Sequence, residues 1–269
     1  MPNDPLRSQL RALAEKFPPG LRESQIADVP RHAFHVGLIR DRLGVDVDVC
    51  DIGSGLGLFP AACASVGMRT TMMDDFSPPY DDAESAARVP DAPDAVNFHL
   101  VEAGLAVHRA LGVRVEQRDP LAQGFGFPPG SLDVVTSFDS MEHWHRSPKR
   151  LFASVREALR PGGLFILGVL NCVNLRKRIT VPLGRGKWSR MSDWYEPERF
   201  RGHVREPDVD DLHYIARDMR LSDVEIHGRN WVLTTLPSQL RWAGAIVDRA
   251  LRLRPTLCAD IYLVGRKRD

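Results

Sequence analysis

The chain has 269 residues, 43% of them apolar, enough to bury one full α/β core with elaborations. Lysine and arginine number 36 against 35 aspartates and glutamates, so no overall charge draws the chain to a polyanion and any basic site is local. Four cysteines, Cys50, Cys63, Cys172 and Cys258, lie far apart without a CxxC pair, which argues against a metal site and against a disulfide framework.

Residues 1–44 read as a helical extension. Two helical patterns, Leu6-Leu10-Leu13 and Ala33-Val36-Ile39-Leu43, are separated by the breakers Pro18, Pro19 and Gly20. The segment lacks the apolar centre of a secretion signal, and no run in the chain approaches the ~20 apolar residues of a membrane span. The expectation is a soluble, cytoplasmic protein with no stable membrane insertion.

From Val45 onward apolar runs alternate with helical stretches. Strands are predicted at Val45 to Asp51, Thr70 to Met73, Val113 to Glu116, Leu132 to Ser137 and Leu164 to Leu170. Helices fall between them at Leu58 to Val66 and about 97–111 and 147–159. This alternation predicts an α/β domain over 45–269, with a parallel sheet and helices on both faces. A helix near 208–218, a strand near 221–227, an apolar helix around 238–253 and a strand from Cys258 to Val264 complete it.

Two segments depart from that rhythm. Residues 77–95 form a Pro- and Asp-rich loop able to fold over a ligand. Residues 171–206 read as an inserted cap with Arg176, Lys177, Arg178, Arg185, Lys187 and Arg190, and no acid lies between 176 and 190.

The chemistry concentrates at strand ends. After the first strand comes Asp51-Ile52-Gly53-Ser54-Gly55-Leu56-Gly57, whose glycines let the backbone turn sharply while the next helix offers free N–H groups. The spacing is GxGxG rather than the GxGxxG of a dinucleotide site, and Asp51 suits a cofactor that carries an ammonium group. About 20 residues on, Asp74 and Asp75 end the second strand, where a carboxylate can accept both hydroxyls of a ribose. Asp119, followed by Pro120, comes off the third strand at the same edge and can accept an adenine amino group.

The segment 127–170 then runs a buried strand through Phe138-Asp139-Ser140 and Glu142-His143 into an amphipathic helix and Leu159-Arg160-Pro161-Gly162-Gly163. It resembles the FDxVxxxxxxEH, helix, LxPGG pattern of class I S-adenosylmethionine-dependent methyltransferases of the ubiquinone and menaquinone biosynthetic type, and the likeness covers about 45–170. The resemblance implies a Rossmann-like, seven-stranded, mostly parallel sheet with the last strand antiparallel, and S-adenosylmethionine across the carboxyl ends of the first strands. Carried over, Asp51, Gly53, Ser54, Gly55 and Gly57 match the cofactor turn. Asp75 or Asp74 matches the ribose acid, Asp119 the adenine contact, and Phe138, Asp139 and Ser140 the loop beside the methyl donor. Further on, Gly202-His203-Val204-Arg205 is similar to an element of members associated with lipid, glycan and secondary metabolites, with Glu206-Pro207 where an aromatic is common.

Methyl transfer from a sulfonium needs mainly positioning and dehydration, and only a poor nucleophile needs a base. His143 and His203 are the candidate bases. Ser77-Pro78-Pro79-Tyr80 matches the base clamp of nucleic-acid aminomethyltransferases but follows the wrong strand, so the reading excludes a nucleic-acid partner. The expected partner is a small-molecule acceptor, lipid- or sugar-linked or anionic, with Trp188, Trp194 and Tyr195 among the cap's charges. A non-catalytic S-adenosylmethionine-binding module and an NAD-dependent oxidoreductase stand as alternatives.

Overall fold

The computed structural model describes residues 4–76, 98–186, 191–196, 200, 202–235, 239 and 241–268. The predicted loop 77–95, with Ser77 to Tyr80, and the cap residues Lys187, Trp188 and Arg190 lie outside the described residues.

Seven strands form one sheet. In chain order they are β1 (Asp48–Ile52), β2 (Arg69–Asp74), β3 (Arg114–Gln117), β4 (Leu132–Phe138), β5 (Leu159–Leu170), β6 (Leu221–Arg229) and β7 (Asp260–Lys267). Their order in the sheet is β3-β2-β1-β4-β5-β7-β6. β1 to β5 pair in parallel and β7 runs antiparallel to both β5 and β6. The last strand is therefore the one that opposes the rest, as expected.

Strand boundaries shift by one to five residues from the sequence reading, β7 running Asp260–Lys267 rather than Cys258 to Val264, and two shifts have a plain cause. β1 starts at Asp48 rather than Val45 because Gly44, at φ +80°, ends the preceding helix and leaves Val45 exposed. β5 starts at Leu159, five residues early. Leu132 pairs with Leu159 but Val134 pairs with Leu164, so Arg160 to Gly163 bulge out of the strand instead of forming a separate turn.

Burial alternates along the central strands as a two-residue period requires. Val49, Val134, Ile166 and Val264 face one layer, packed against α1 (Pro5–Ala14), α3 (Val29–Leu43) and α4 (Leu58–Ser65). Between α1 and α3 lies α2 (Pro19–Ala27). Cys50, Val135, Phe165, Leu167 and Leu263 face the other layer. That layer meets Leu151, Phe152 and Val155 of a helix at Lys149–Ala158, and Leu212 and Ala216 of one at Val209–Asp218. A smaller cluster joins Met72 to Val101 and Leu105 of α5 (Phe98–Ala110).

With β1 to β5 parallel, their carboxyl ends share one edge of the sheet, and the loops after β1, β2, β3 and β4 gather there. The N-terminal helices pack on that edge as well as on the sheet face: Phe34 and His35 of α3 lie against Tyr262 of β7 with centroid separations of 5.2 Å. The cap contributes the short helices Leu175–Thr180 and Met191–Tyr195, and it leaves Trp194 and Tyr195 exposed. Among the described residues no helix is long and apolar enough to cross a membrane.

Gly168 in β5 is tightly enclosed beneath that edge. A Cβ there would lie 2.6 Å from the Tyr262 ring and 2.7 Å from the Phe138 ring. Gly168→Ala is expected to destabilise the protein by about 1–3 kcal/mol through overpacking, read as a lower denaturant midpoint at an unchanged slope; an unchanged midpoint would contradict this packing.

Candidate active site

The turn after β1 is built from glycines in the left-handed region, Gly53 at φ +68° and Gly55 at φ +49°. Gly53 N–H donates to the Met73 carbonyl at 2.8 Å, which ties the turn to β2. A Cβ on Gly53 would fall 1.8 Å from Ser140 Oγ, so the loop after β4 touches the turn after β1 only because residue 53 is glycine. The turn closes with Gly57 N–H donating to Ser54 O at 3.2 Å, and α4 begins at the next residue.

The two aspartates that end β2 do different things. The Asp74 carboxylate accepts from Gly55 N–H and Phe76 N–H, both at 2.9 Å, and burial pushes its carboxyl above the ordinary range. Asp75 is exposed. Both line a cavity of about 380 Å³ with Gly53, Asp119, Ser140 and His143. Asp119 also caps the short helix Pro120–Gln123, accepting from Leu121 N–H at 2.8 Å and Ala122 N–H at 3.3 Å. Pro120 completes that wall.

Asp51 stands behind the turn, not in the cavity wall. It is 3% exposed, and Thr136 Oγ1 donates to its Oδ1 at 2.6 Å. Burial raises its carboxyl to about 7, and nearby Asp74 adds to the rise while the Thr136 bond opposes it. Ser54, Gly55 and Gly57 shape the turn without lining the cavity.

Phe138 and Asp139 turn toward α3. The Phe138 ring stacks on His35 at 3.8 Å between centroids with 4° between the planes, and meets Phe59 edge-on at 4.9 Å. Asp139, at φ +47°, donates its N–H to Gly168 O at 2.9 Å and forms an ion pair with Arg31. Arg31 and His35 are four residues apart on one face of α3. Sequence reading did not assign them to the site. The only local signal is that polar i,i+4 pair on a helix otherwise read by its apolar stripe.

The two candidate bases meet. His143 follows β4 in a 3-10 turn at Met141–His143, and its ring lies edge-on to that of His203 with centroids 4.7 Å apart. Glu142 O accepts from Val204 N–H at 2.7 Å and Arg205 N–H at 3.3 Å, which fastens the cap to this turn. The Glu142 side chain is fully buried. Burial raises its carboxyl, and His143 and His203 pull the other way. His203 Nδ1 lies 2.8 Å from Glu206 Oε1, and the other Glu206 oxygen pairs with Lys177. Glu206 and Lys177 were legible only as a departure from a motif and as part of a basic run.

Beyond this pair opens a second cavity of about 710 Å³. Its walls are apolar at Val173, Val181 and Val204 and basic at Lys177, Arg178 and Arg205, with His203 at one side.

A sequence profile of the family described as "Methyltransferase domain" matches residues 6–226, most of the chain. The chain belongs to that family. Its family and fold are those of the class I S-adenosylmethionine-dependent methyltransferases rather than of an NAD-dependent oxidoreductase. Among curated proteins it is similar to the ubiquinone biosynthesis O-methyltransferases of Xanthomonas campestris pv. campestris strains, at 28% identity over 123 residues. The match covers 46% of this chain and 43% of those proteins, so it spans less than half the length of the relatives. Among solved structures the fold is similar to a methyltransferase from Thermotoga maritima, with TM-score 0.54, 13% identity and coverage of 96% of this chain and 100% of that one. It is also similar to one from Archaeoglobus fulgidus, with TM-score 0.51, 13% identity and coverage of 88% and 94%.

The residues of the methyltransferase fit its donor. S-adenosylmethionine presents a sulfonium, an ammonium and a ribose diol. The first cavity offers the carboxylates of Asp74, Asp75 and Asp119 beside a turn with no Cβ at Gly53, and a volume within the usual ~300–1,000 Å³ of small-ligand sites.

The buried Asp51 makes stability depend on pH. Its carboxyl rises from the ordinary 3.8 to about 7 on folding, so between those values the folded state holds a proton that the unfolded state has lost. Stability therefore falls as pH rises through that window, by a few kcal/mol at ~1.4 kcal/mol per unit. Asp51→Asn keeps an acceptor for Thr136 and removes the titration. In ligand-free protein its melting temperature should exceed that of the wild type by several degrees at pH 8, and by much less at pH 4. An equal offset at both pH values would show that Asp51 is ionised without cost.

Proposed function

We propose that this enzyme methylates a hydroxyl group on a small acceptor that has an apolar body and an anionic group, held in the second cavity. The observation that carries the reading is the edge contact of His143, which lines the first cavity, with His203, which lines the second, at 4.7 Å between ring centroids. An acceptor in the larger cavity reaches the donor side past those two imidazoles.

The walls support the acceptor class. Val173, Val181 and Val204 suit an apolar body. Arg178, whose guanidinium donates only to the carbonyls of Val173 and Thr256 among the described residues, leaves its charge available to a carboxylate or phosphate. Lys177 and Arg205 are each already paired, with Glu206 and Asp211. The curated relatives are named O-methyltransferases of ubiquinone biosynthesis, which supports oxygen as the receiving atom.

On the donor side, S-adenosylmethionine supplies an electrophilic methyl group. We assign Asp75 to the ribose hydroxyls, with Asp74 holding Gly55 and Phe76 in the shape that presents it. Asp119 and Pro120 border the adenine end. Asp51 lies buried behind Gly53, Ser54, Gly55 and Gly57, where an arriving ammonium group favours its ionised form and is held by it. Phe138 and Asp139, braced by His35 and Arg31, fix the loop beside the methyl group. In this reading residues 45–269 form the catalytic domain, 171–206 its cap and 1–44 a helical extension that braces the site.

The test is labelled methyl transfer to 3,4-dihydroxybenzoate, a minimal anionic phenol, together with calorimetric binding of S-adenosylhomocysteine. Val173→Trp, which fills the second cavity, should reduce transfer at least tenfold and leave S-adenosylhomocysteine affinity within twofold. Loss of both together, or transfer that survives the filled cavity, would contradict this placement of the acceptor.

A further inference from the structure

We infer that His203 takes the proton of the acceptor hydroxyl and that Glu206, itself fixed by Lys177, is the positioning residue that makes it able to do so. The inference rests on the acceptor lying in the second cavity and goes beyond it by assigning the base and the reason for its strength.

The geometry has three parts. Glu206 lies 2.8 Å from His203 Nδ1, so that nitrogen carries the proton and donates it, leaving Nε2 as the accepting atom. Lys177 holds the second Glu206 oxygen, which fixes the carboxylate plane. His203 lines the second cavity and touches His143, which lines the first, so the base stands on the boundary where acceptor and donor must meet.

The charges around the ring favour its protonated form once a proton arrives. Glu206 raises the His203 imidazolium above its ordinary range and is itself held down at about 2. Glu142, from the 3-10 turn after β4, acts in the same direction, while Lys177 from the cap acts against it. A buried carboxyl is costly, and Glu142 lies fully buried among these groups. Its placement beside both imidazoles is what a site that must stabilise a transient imidazolium requires.

The acceptor O–H bond breaks and its proton goes to His203 Nε2. The oxygen pair forms the bond to the methyl carbon as the carbon–sulfur bond breaks with its pair on sulfur, and the imidazolium then returns the proton to water. A phenol needs this assistance near neutral pH, whereas an amine that is already unprotonated does not.

The experiment needs no turnover. 4-Nitrocatechol, whose ionised form absorbs at longer wavelength, is titrated by absorbance in the complex with protein and S-adenosylhomocysteine. In wild type the bound phenol should ionise at least one pH unit below its midpoint in His203→Gln, with Glu206→Gln between the two. In parallel, ¹⁵N NMR should show the His203 pKa falling in Glu206→Gln while S-adenosylhomocysteine affinity stays within twofold. A brace that merely holds the cap would leave the phenol midpoint in place even as the His203 pKa falls. Equal ionisation midpoints in wild type and His203→Gln would overturn the assignment of the base. Failure of 4-nitrocatechol to bind the S-adenosylhomocysteine complex would instead overturn the acceptor cavity on which it rests. Should His203→Gln not fold, the phenol midpoint in Glu206→Gln decides the question alone, and a midpoint equal to that of wild type overturns the assignment.

Discussion

Everything at the carboxyl edge of the sheet depends on the missing side chain at residue 53. With no Cβ there, Ser140 from the loop after β4 can lie directly on the turn after β1. Ser140 Oγ in turn accepts from Trp144 Nε1 at 3.0 Å, which sets the 3-10 turn carrying Glu142 and His143. The Glu142 carbonyl then receives Val204 and Arg205 and so places His203. A glycine in the turn after β1 thus determines, through three contacts, where the cap meets the first cavity. One added methyl group at residue 53 would push Ser140 away and pass the displacement along that chain.

The same edge concentrates buried acid. Asp51, Asp74, Glu142 and Asp260 all have carboxyls raised by burial, with Asp260 at about 6. Such groups lower stability in the free protein, and their collection at one end of a sheet marks a site adapted to positive charge. The donor of this family carries two positive centres. Arg31 is the compensating cation on the protein side, pairing with Asp139 and acting on Asp260. Through it the N-terminal helices take part in the electrostatics of the site as well as in its packing.

Sequence periodicity revealed what depends on local pattern. The parallel strands, the helices between them and the glycine turn are legible because each is a run of residues with its own period or backbone requirement. The early start of β5 was hidden because Pro161-Gly162-Gly163 reads as a turn, whereas here it is a bulge within a strand. The difference between Asp74 and Asp75 was also hidden, since it lies in which carboxylate reaches the Gly55 amide. Arg31, His35 and Lys177 reach the site from segments distant in sequence, and no single-sequence pattern encodes such contacts. Asp51 was legible as an acid near the turn, but its retreat behind the turn follows from Thr136 on the neighbouring strand.

The central claim is that donor and acceptor occupy two separate cavities that meet at His143 and His203. A crystal structure with S-adenosylhomocysteine and 3,4-dihydroxybenzoate tests it most directly. The account predicts the ribose over Asp75 and Asp119, the sulfur on the Ser140 side, and the phenol within hydrogen-bond reach of His203. Electron density for S-adenosylhomocysteine between Val173 and Val204, or for the phenol away from both imidazoles, would contradict it.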